Sequence, residues 1–415
     1  MQYQKLVYVA AFALILLTAC SSSPTTLGNN ENENESDTTT KLPPVETQKA
    51  NTDYKPAFEG QTRIAGVKTT TAFKVDKIAT GLGSPWAVVP MPDGRLLLSI
   101  KTGKMQIHDA NGALVKEITG FPKVEDGGQG GLLDVAFDPA FSTNKTIYWS
   151  FSEKNGSGNL TAVAKGQLNE AAGKVDNPTV IFRATPALNS ALHFGSRLVF
   201  DKDGNLFVSA GERSILEGRA QAQLLSSGLG KIFKITTDGK PAPGNPFISQ
   251  AGAMPEIYAY GIRNPQGLDI NPATGELWEA EFGPRGGDEI NIIKAGKDYG
   301  WPTITYGLEY SGEKVGGGIQ QKEGMEQPIY YWDPVVSPSG ITFYKGNAIP
   351  EWENNLFVGG LSSTHIVRLV IKDNKVIGEE RLLADLKERF RDVAYMDGML
   401  YAVTDGGNMY KISKQ

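Results

Sequence analysis

The chain runs to 415 residues and is mildly acidic, with 41 Lys and Arg against 46 Asp and Glu and a net charge of −5. That balance excludes a nucleic-acid platform, which needs a basic surface to engage phosphates. A single cysteine excludes a disulfide scaffold, and 48 glycines with 23 prolines argue for short, turn-bounded segments rather than long helices.

The N-terminal stretch "MQYQKLVYVAAFALILLTAC" carries Lys5, an apolar run from Leu6 to Leu17, and then Thr18-Ala19-Cys20. The run is short for a spanning helix and has the layout of a secretory signal over 1–19. Leu17-Thr18-Ala19-Cys20 resembles a bacterial lipobox, which would make Cys20 the lipidated first residue of the mature protein. Ser21 after it resembles an outer-membrane address. The expectation is therefore an envelope protein that meets the membrane only through its lipid and faces the periplasm; an ordinary signal with a chance cysteine is the alternative. Residues 20–70 hold almost no aromatic or branched apolar side chains. Such a segment cannot offset its conformational entropy by burial, so a disordered tether is predicted.

Residues 71–415 form the predicted folded domain. Six stretches follow one pattern: "MPDGRLLLSIKTGKMQIHD", "NKTIYWSFSE", "DKDGNLFVSAGER", "NPATGELWEAEFGP", "WENNLFVGGLSSTHIVRLVI" and "YMDGMLYAVTDGGNMYKIS". Each sets a turn, most with Asp, Asn or Gly, before a short alternating strand, and "SILEGRAQAQLLSSG" is the one stretch that reads as a short helix. A repeated unit of four-strand size predicts an all-β, six-bladed β-propeller. A β-sandwich or β-helix explains the spacing less well. In a propeller the loops on one face converge on the axis, so residues distant in sequence can build one site.

The polar loops, in order, surround Gln129, His193, Arg263 with Asn264, Gly283 to Asn291, Tyr299, Ser337, and Arg389 with Arg391. Taken singly, each has a bland reading as a turn or a solvated surface loop. Their combination is more specific. "QGGLLDVAFDPAF", "HFGSRLVFD", "IRNPQGL", "GPRGGDEIN" followed by "YGWP", "SPSG" and "RFRDV" occur in the order found in the soluble aldose sugar dehydrogenases. These are the glucose/sorbosone dehydrogenase quinoproteins, which use pyrroloquinoline quinone (PQQ). The resemblance runs from "GLGSPWAVVPMPDGR" to the C-terminus.

The resemblance implies a six-bladed propeller that oxidises the anomeric carbon of an aldose to the lactone and passes electrons to a further acceptor. It implies His193 as general base, and Gln129, Arg263, Asn264, Arg389 and Arg391 as cofactor contacts. The carbonyls of Gly283 and Pro284 would hold a Ca²⁺ at the cofactor, and Asp288, Glu289 and Tyr299 a separate structural Ca²⁺. His108 and His365 read as structural. Two positions depart from the pattern: Ser362 stands where the family usually has lysine, and Phe282 where a polar residue is common. Losing a buried cation beside a polyanion costs roughly 1.5–3 kcal/mol of binding. Two other classes stay open: a calcium-dependent propeller lactonase, which needs a carboxylate-rich axial metal site, and a non-catalytic surface-displayed binding propeller.

Overall fold

Six short alternating units form six four-stranded antiparallel blades in the computed structural model, which describes residues 42–415. Blade one runs from Pro85 to Ile118, blade two from Leu132 to Arg183 and blade three from Leu198 to Tyr260. Blade four runs from Pro265 to Trp332 and blade five from Pro338 to Leu382. Blade six takes its three inner strands from Phe390–Met396, Met399–Thr404 and Met409–Lys414, and its outer strand from Phe73–Ala79. The ring is thus closed by hydrogen bonds between the two ends of the domain.

The turns follow their chemistry. Between the first two strands of blade three, the Asp201 carboxylate accepts the N–H groups of Asp203 and Asn205, and Gly204 takes φ +78°. Only glycine adopts that conformation without strain. Second strands such as Leu96–Ile100 are buried throughout, because blades cover both faces. Six of the apolar clusters each span two neighbouring blades, so the core lies between blades.

Charged staples add to this packing at the axis. Asp134 of blade two accepts the N–H of Leu198, Asp269 of blade four that of Phe343, and Asp392 of blade six that of Val88. Each reaches the innermost strand of the next blade. Arg197 lies between Asp134 (3.3 Å) and Asp392 (3.0 Å), donates to the Gln266 carbonyl, and stacks on Trp86.

The predicted tether needs correction from residue 42 onward. Leu42–Pro44 pairs with Ala65–Gly66, which pairs in parallel with the outer strand of blade five, Lys375–Leu382. Asp333 accepts the N–H groups of Asn51 and Thr52 and the Thr52 hydroxyl, and Arg63 donates to the Asp333 carbonyl. Gln61 is fully buried and donates to the Pro328 carbonyl. This segment is ordered largely by hydrogen bonds to the blades, with Ile64 packed on the apolar cluster of blades four and five, and composition does not report that. The domain therefore starts well before residue 71. Cys20 and the signal segment lie outside the described residues.

Candidate active site

The cavity at one end of the axis measures about 450 Å³. It is lined by residues from the segments leading into first strands (Ser84, Gln129, His193, Ser337, Arg389) and others that directly follow a second strand (Lys101, Phe282, Leu361, Asp405). Gln129, His193, Arg389 and Arg391, all expected from the sequence, meet there.

His193 is buried and has φ +50°. Left-handed backbone at a non-glycine residue persists only where its surroundings dictate it. Here the Gln129 side-chain carbonyl accepts the His193 N–H (2.8 Å), and the His193 carbonyl accepts from Arg213 N–H. Arg213 clamps the same loop. Its guanidinium donates to the carbonyls of Leu192, Ser190 and Asn159, and it stacks on Phe194.

His193 Nδ1 lies 2.5 Å from Oε1 of Glu212, a fully buried carboxylate. A carboxylate accepts, so Nδ1 carries the proton and Nε2 is the free, basic nitrogen of the ring. Burial, followed by the Arg263 charge, lowers the imidazole pKa to about 4, with Glu212 pulling the other way. The ring is therefore neutral at neutral pH. His108 has both ring nitrogens engaged, by the Gly112 carbonyl and Gln106, and so is structural as expected.

The opposite wall is cationic. Arg389 and Arg391 both donate to Asp405, and Lys101 stands beside them. Burial pushes the Asp405 carboxyl up, but the two arginines outweigh it and hold its pKa below the usual range. Three cations against one carboxylate leave two positive charges facing the cavity.

Other expected residues take different places. Arg263 does not line this cavity. It is buried, donates to the carbonyls of Phe282 (3.0 Å) and Gly283 (2.6 Å), and its Nε has no partner. Asn264 is also buried; its Oδ1 accepts from Gly195 N–H and its Nδ2 has no partner. The Gly283 carbonyl expected to hold Ca²⁺ thus already carries a guanidinium. Pro284 is buried and does not line this cavity.

Asp288 corrects the metal expectation most directly. Its oxygens accept the N–H groups of Gly283, Val336 and Ser337, tying the loops of blades four and five together. The Tyr299 hydroxyl is likewise used, donating to Ile292 and accepting from Lys294. Glu289 is the least engaged of the three: it accepts only from the Asn291 side chain (3.3 Å) and lines, with Glu281, a small space of about 10 Å³. Burial, followed by repulsion from Glu281, raises the Glu289 pKa well above its usual value. Among the described residues no group of three or more His, Cys, Asp or Glu side chains is placed to hold a metal ion.

Sequence reasoning missed Lys101, Glu212 and Asp405. Their shared signal is position: each lies one or two residues beyond a second strand, where the chain emerges on the cavity face.

Residues 82–411 match the glucose/sorbosone dehydrogenase family. The chain is 40% identical to the aldose sugar dehydrogenase YliI of Escherichia coli over 345 residues, covering 82% of this chain and 92% of that one. It superposes on the apo-form crystal structure of the soluble aldose sugar dehydrogenase from Escherichia coli with a TM-score of 0.79 and 39% identity, covering 83% of this chain and 100% of the other. The PQQ-bound aldose sugar dehydrogenase from Streptomyces coelicolor gives 0.69 at 29% identity, covering 83% and 99%. The chain belongs to the glucose/sorbosone dehydrogenase family.

Proposed function

We propose that the protein is a PQQ-dependent aldose sugar dehydrogenase that oxidises the anomeric carbon to the lactone. The observation that carries this reading is the His193–Glu212 pair, with its basic Nε2 on a cavity whose far wall is cationic. The similarity to a PQQ-bound relative supports it.

The residues suit a flat polycarboxylate. Arg389 and Arg391 are the fork-shaped donors for its carboxylates, and the two positive charges in excess favour an anion. Asn264 does not line the cavity; its Oδ1 supports the His193 loop by accepting the Gly195 N–H. PQQ, when bound, supplies the two-electron hydride acceptor. His193 Nε2 takes the proton of the anomeric hydroxyl as the C–H hydrogen leaves with its electron pair. Glu212 fixes the tautomer and offsets the positive charge on the ring. Phe282 and Leu361 make part of the lining apolar and help exclude water.

Calcium enters this reading at Glu289, where a cation would relieve the repulsion from Glu281, and not at Asp288. A lactonase is not favoured, because the axial carboxylates Asp134 and Asp392 are already paired with Arg197. Export and acylation at Cys20 complete the proposal, placing the enzyme on the envelope. Fatty-acid labelling that persists in Cys20→Ala would remove that part.

The central test is reconstitution of apoprotein with PQQ, with and without Ca²⁺, followed by dye reduction on a panel of aldoses. Lactone formation with PQQ alone or with Ca²⁺ is the expected result. No turnover of any aldose under either condition, despite bound PQQ, sinks the reading.

A further inference from the structure

Lys101 is a cation that the expected cofactor contacts do not include. It is the first residue after the second strand of blade one, Leu96–Ile100. Its N–H donates to the Ser84 carbonyl (3.0 Å), and its own carbonyl accepts from Leu132 (2.9 Å), the first residue of blade two. The backbone is thus pinned between two blades. Packing here is close: a Cβ on Gly131, at φ +133°, would lie 2.5 Å from the Lys101 carbonyl oxygen.

The side chain enters the cavity, and Nζ donates to the Gly128 carbonyl at 2.7 Å. An ammonium has three N–H donors, so two remain. Arg389 and Arg391 share the Asp405 carboxylate, whereas no carboxylate lies within salt-bridge distance of Lys101 among the described residues. Burial, followed by the Arg391 charge, lowers the ammonium pKa, while Asp405 and Asp126 oppose the shift. A half-buried cation beside a second cation, with no anion of its own, is destabilising by itself and is relieved by an anion placed against it.

No cation comes from blade five. Ser362 occupies the position where lysine was expected, and its hydroxyl pairs with that of Ser337 at 2.7 Å. We propose that Lys101 is an anion-binding residue of the active site, which holds a carboxylate of the bound quinone together with Arg389 and Arg391 and places on blade one the charge that blade five lacks. This inference rests on the cofactor reading above.

The test is direct titration of apoprotein with PQQ by calorimetry, with no turnover needed. Lys101→Ala is expected to weaken binding on the order of 10- to 100-fold, the effect of losing one charge-assisted bond. Lys101→Arg is expected to restore most of it. Lys101→Gln keeps the stem and a donor for Gly128 but not the charge, and is expected to bind like Lys101→Ala. Lys202→Ala, on the exposed turn of blade three, is expected to bind like wild type. Melting temperatures check that each variant is folded. Wild-type affinity is also expected to fall as pH rises through the lowered ammonium pKa, a fall that Lys101→Gln does not show. If wild type binds and Lys101→Gln binds equally well, the role of Lys101 is overturned while the cofactor reading stands. If wild type does not bind PQQ at all, the cofactor reading falls, and the assignment of Lys101 with it.

Discussion

At His193, backbone strain and electrostatics serve one end. The left-handed turn points the ring at Glu212, and Gln129 and Arg213 hold the turn from either side. If the ring is the base, His193→Ala should lose about 10²–10⁴-fold in turnover while keeping its affinity for PQQ. A packing role would instead lower the melting temperature and leave the reduction rate of bound quinone unchanged. The pH profile separates the two further. A base must be neutral to act, so activity falls as pH drops through the imidazole pKa. With that value lowered to about 4, the acid limb should lie well below the ordinary histidine value near 6.5. A limb at or above 6.5 would mean that burial is relieved in the complex or that another group is titrating. His193, Gln129, Arg389 and Arg391 were legible because motif order locates a loop. Arg263, Gly283 and Asp288 were located equally well, but their side chains and carbonyls turn inward to each other, and direction at a strand end is not written in the motif. Glu212 was missed because an acid in "AGER" acquires meaning only once its strand is paired beside the histidine loop.

Among the elements, two kinds of segment supply most of the site, the run-in to a first strand and the exit from a second strand, and Tyr310 adds to it from the long loop of blade four. The first kind carries motifs and was read. The second, in "SIKTG", "SAGER" and "VTDGG", looks like ordinary turn sequence, yet it supplies Lys101, Glu212 and Asp405. The strap from residue 42 to 66 shows the opposite limit. Its polar composition predicted disorder, and its order comes from partners up to 335 positions away, such as Arg381 to Glu46. Asp333 is the hub, accepting three bonds from Asn51 and Thr52. Asp333→Ala should leave those donors unpaired and cost about 1–3 kcal/mol. Limited proteolysis should then cut within residues 46–60 before the blades. A variant as resistant there as wild type would show that pairing with blade five alone holds the strap.

The ring as a whole depends on charge at its axis as well as on apolar packing between blades. Arg197 belongs to the run-in of blade three, yet it touches blade two through Asp134, blade four through the Gln266 carbonyl and blade six through Asp392. Asp392 in turn holds the Val88 N–H of blade one. The propeller count was legible from the six repeated turns, because each blade is a local hairpin unit. This convergence was not, since it joins single residues from separate blades. Burial, with Arg197 pulling down and Asp392 pushing up, raises the Asp134 pKa to about 6, and burial raises Asp392 as well. Arg197→Met removes the shared cation and leaves two buried carboxylates facing one another, which should cost about 3–5 kcal/mol at neutral pH. The sign of the pH dependence follows. With the cation gone, the folded-state pKa values of both carboxylates rise further above their unfolded values near 4. Between those limits the folded protein binds more protons than the unfolded chain, so the variant gains stability as pH falls. The gap in melting temperature between wild type and Arg197→Met should therefore narrow from pH 7.5 to pH 5, and adding Asp134→Asn should narrow it at pH 7.5 too. A gap that stays constant with pH, and that Asp134→Asn does not reduce, would mean that Arg197 acts through its stacking on Trp86 rather than through charge.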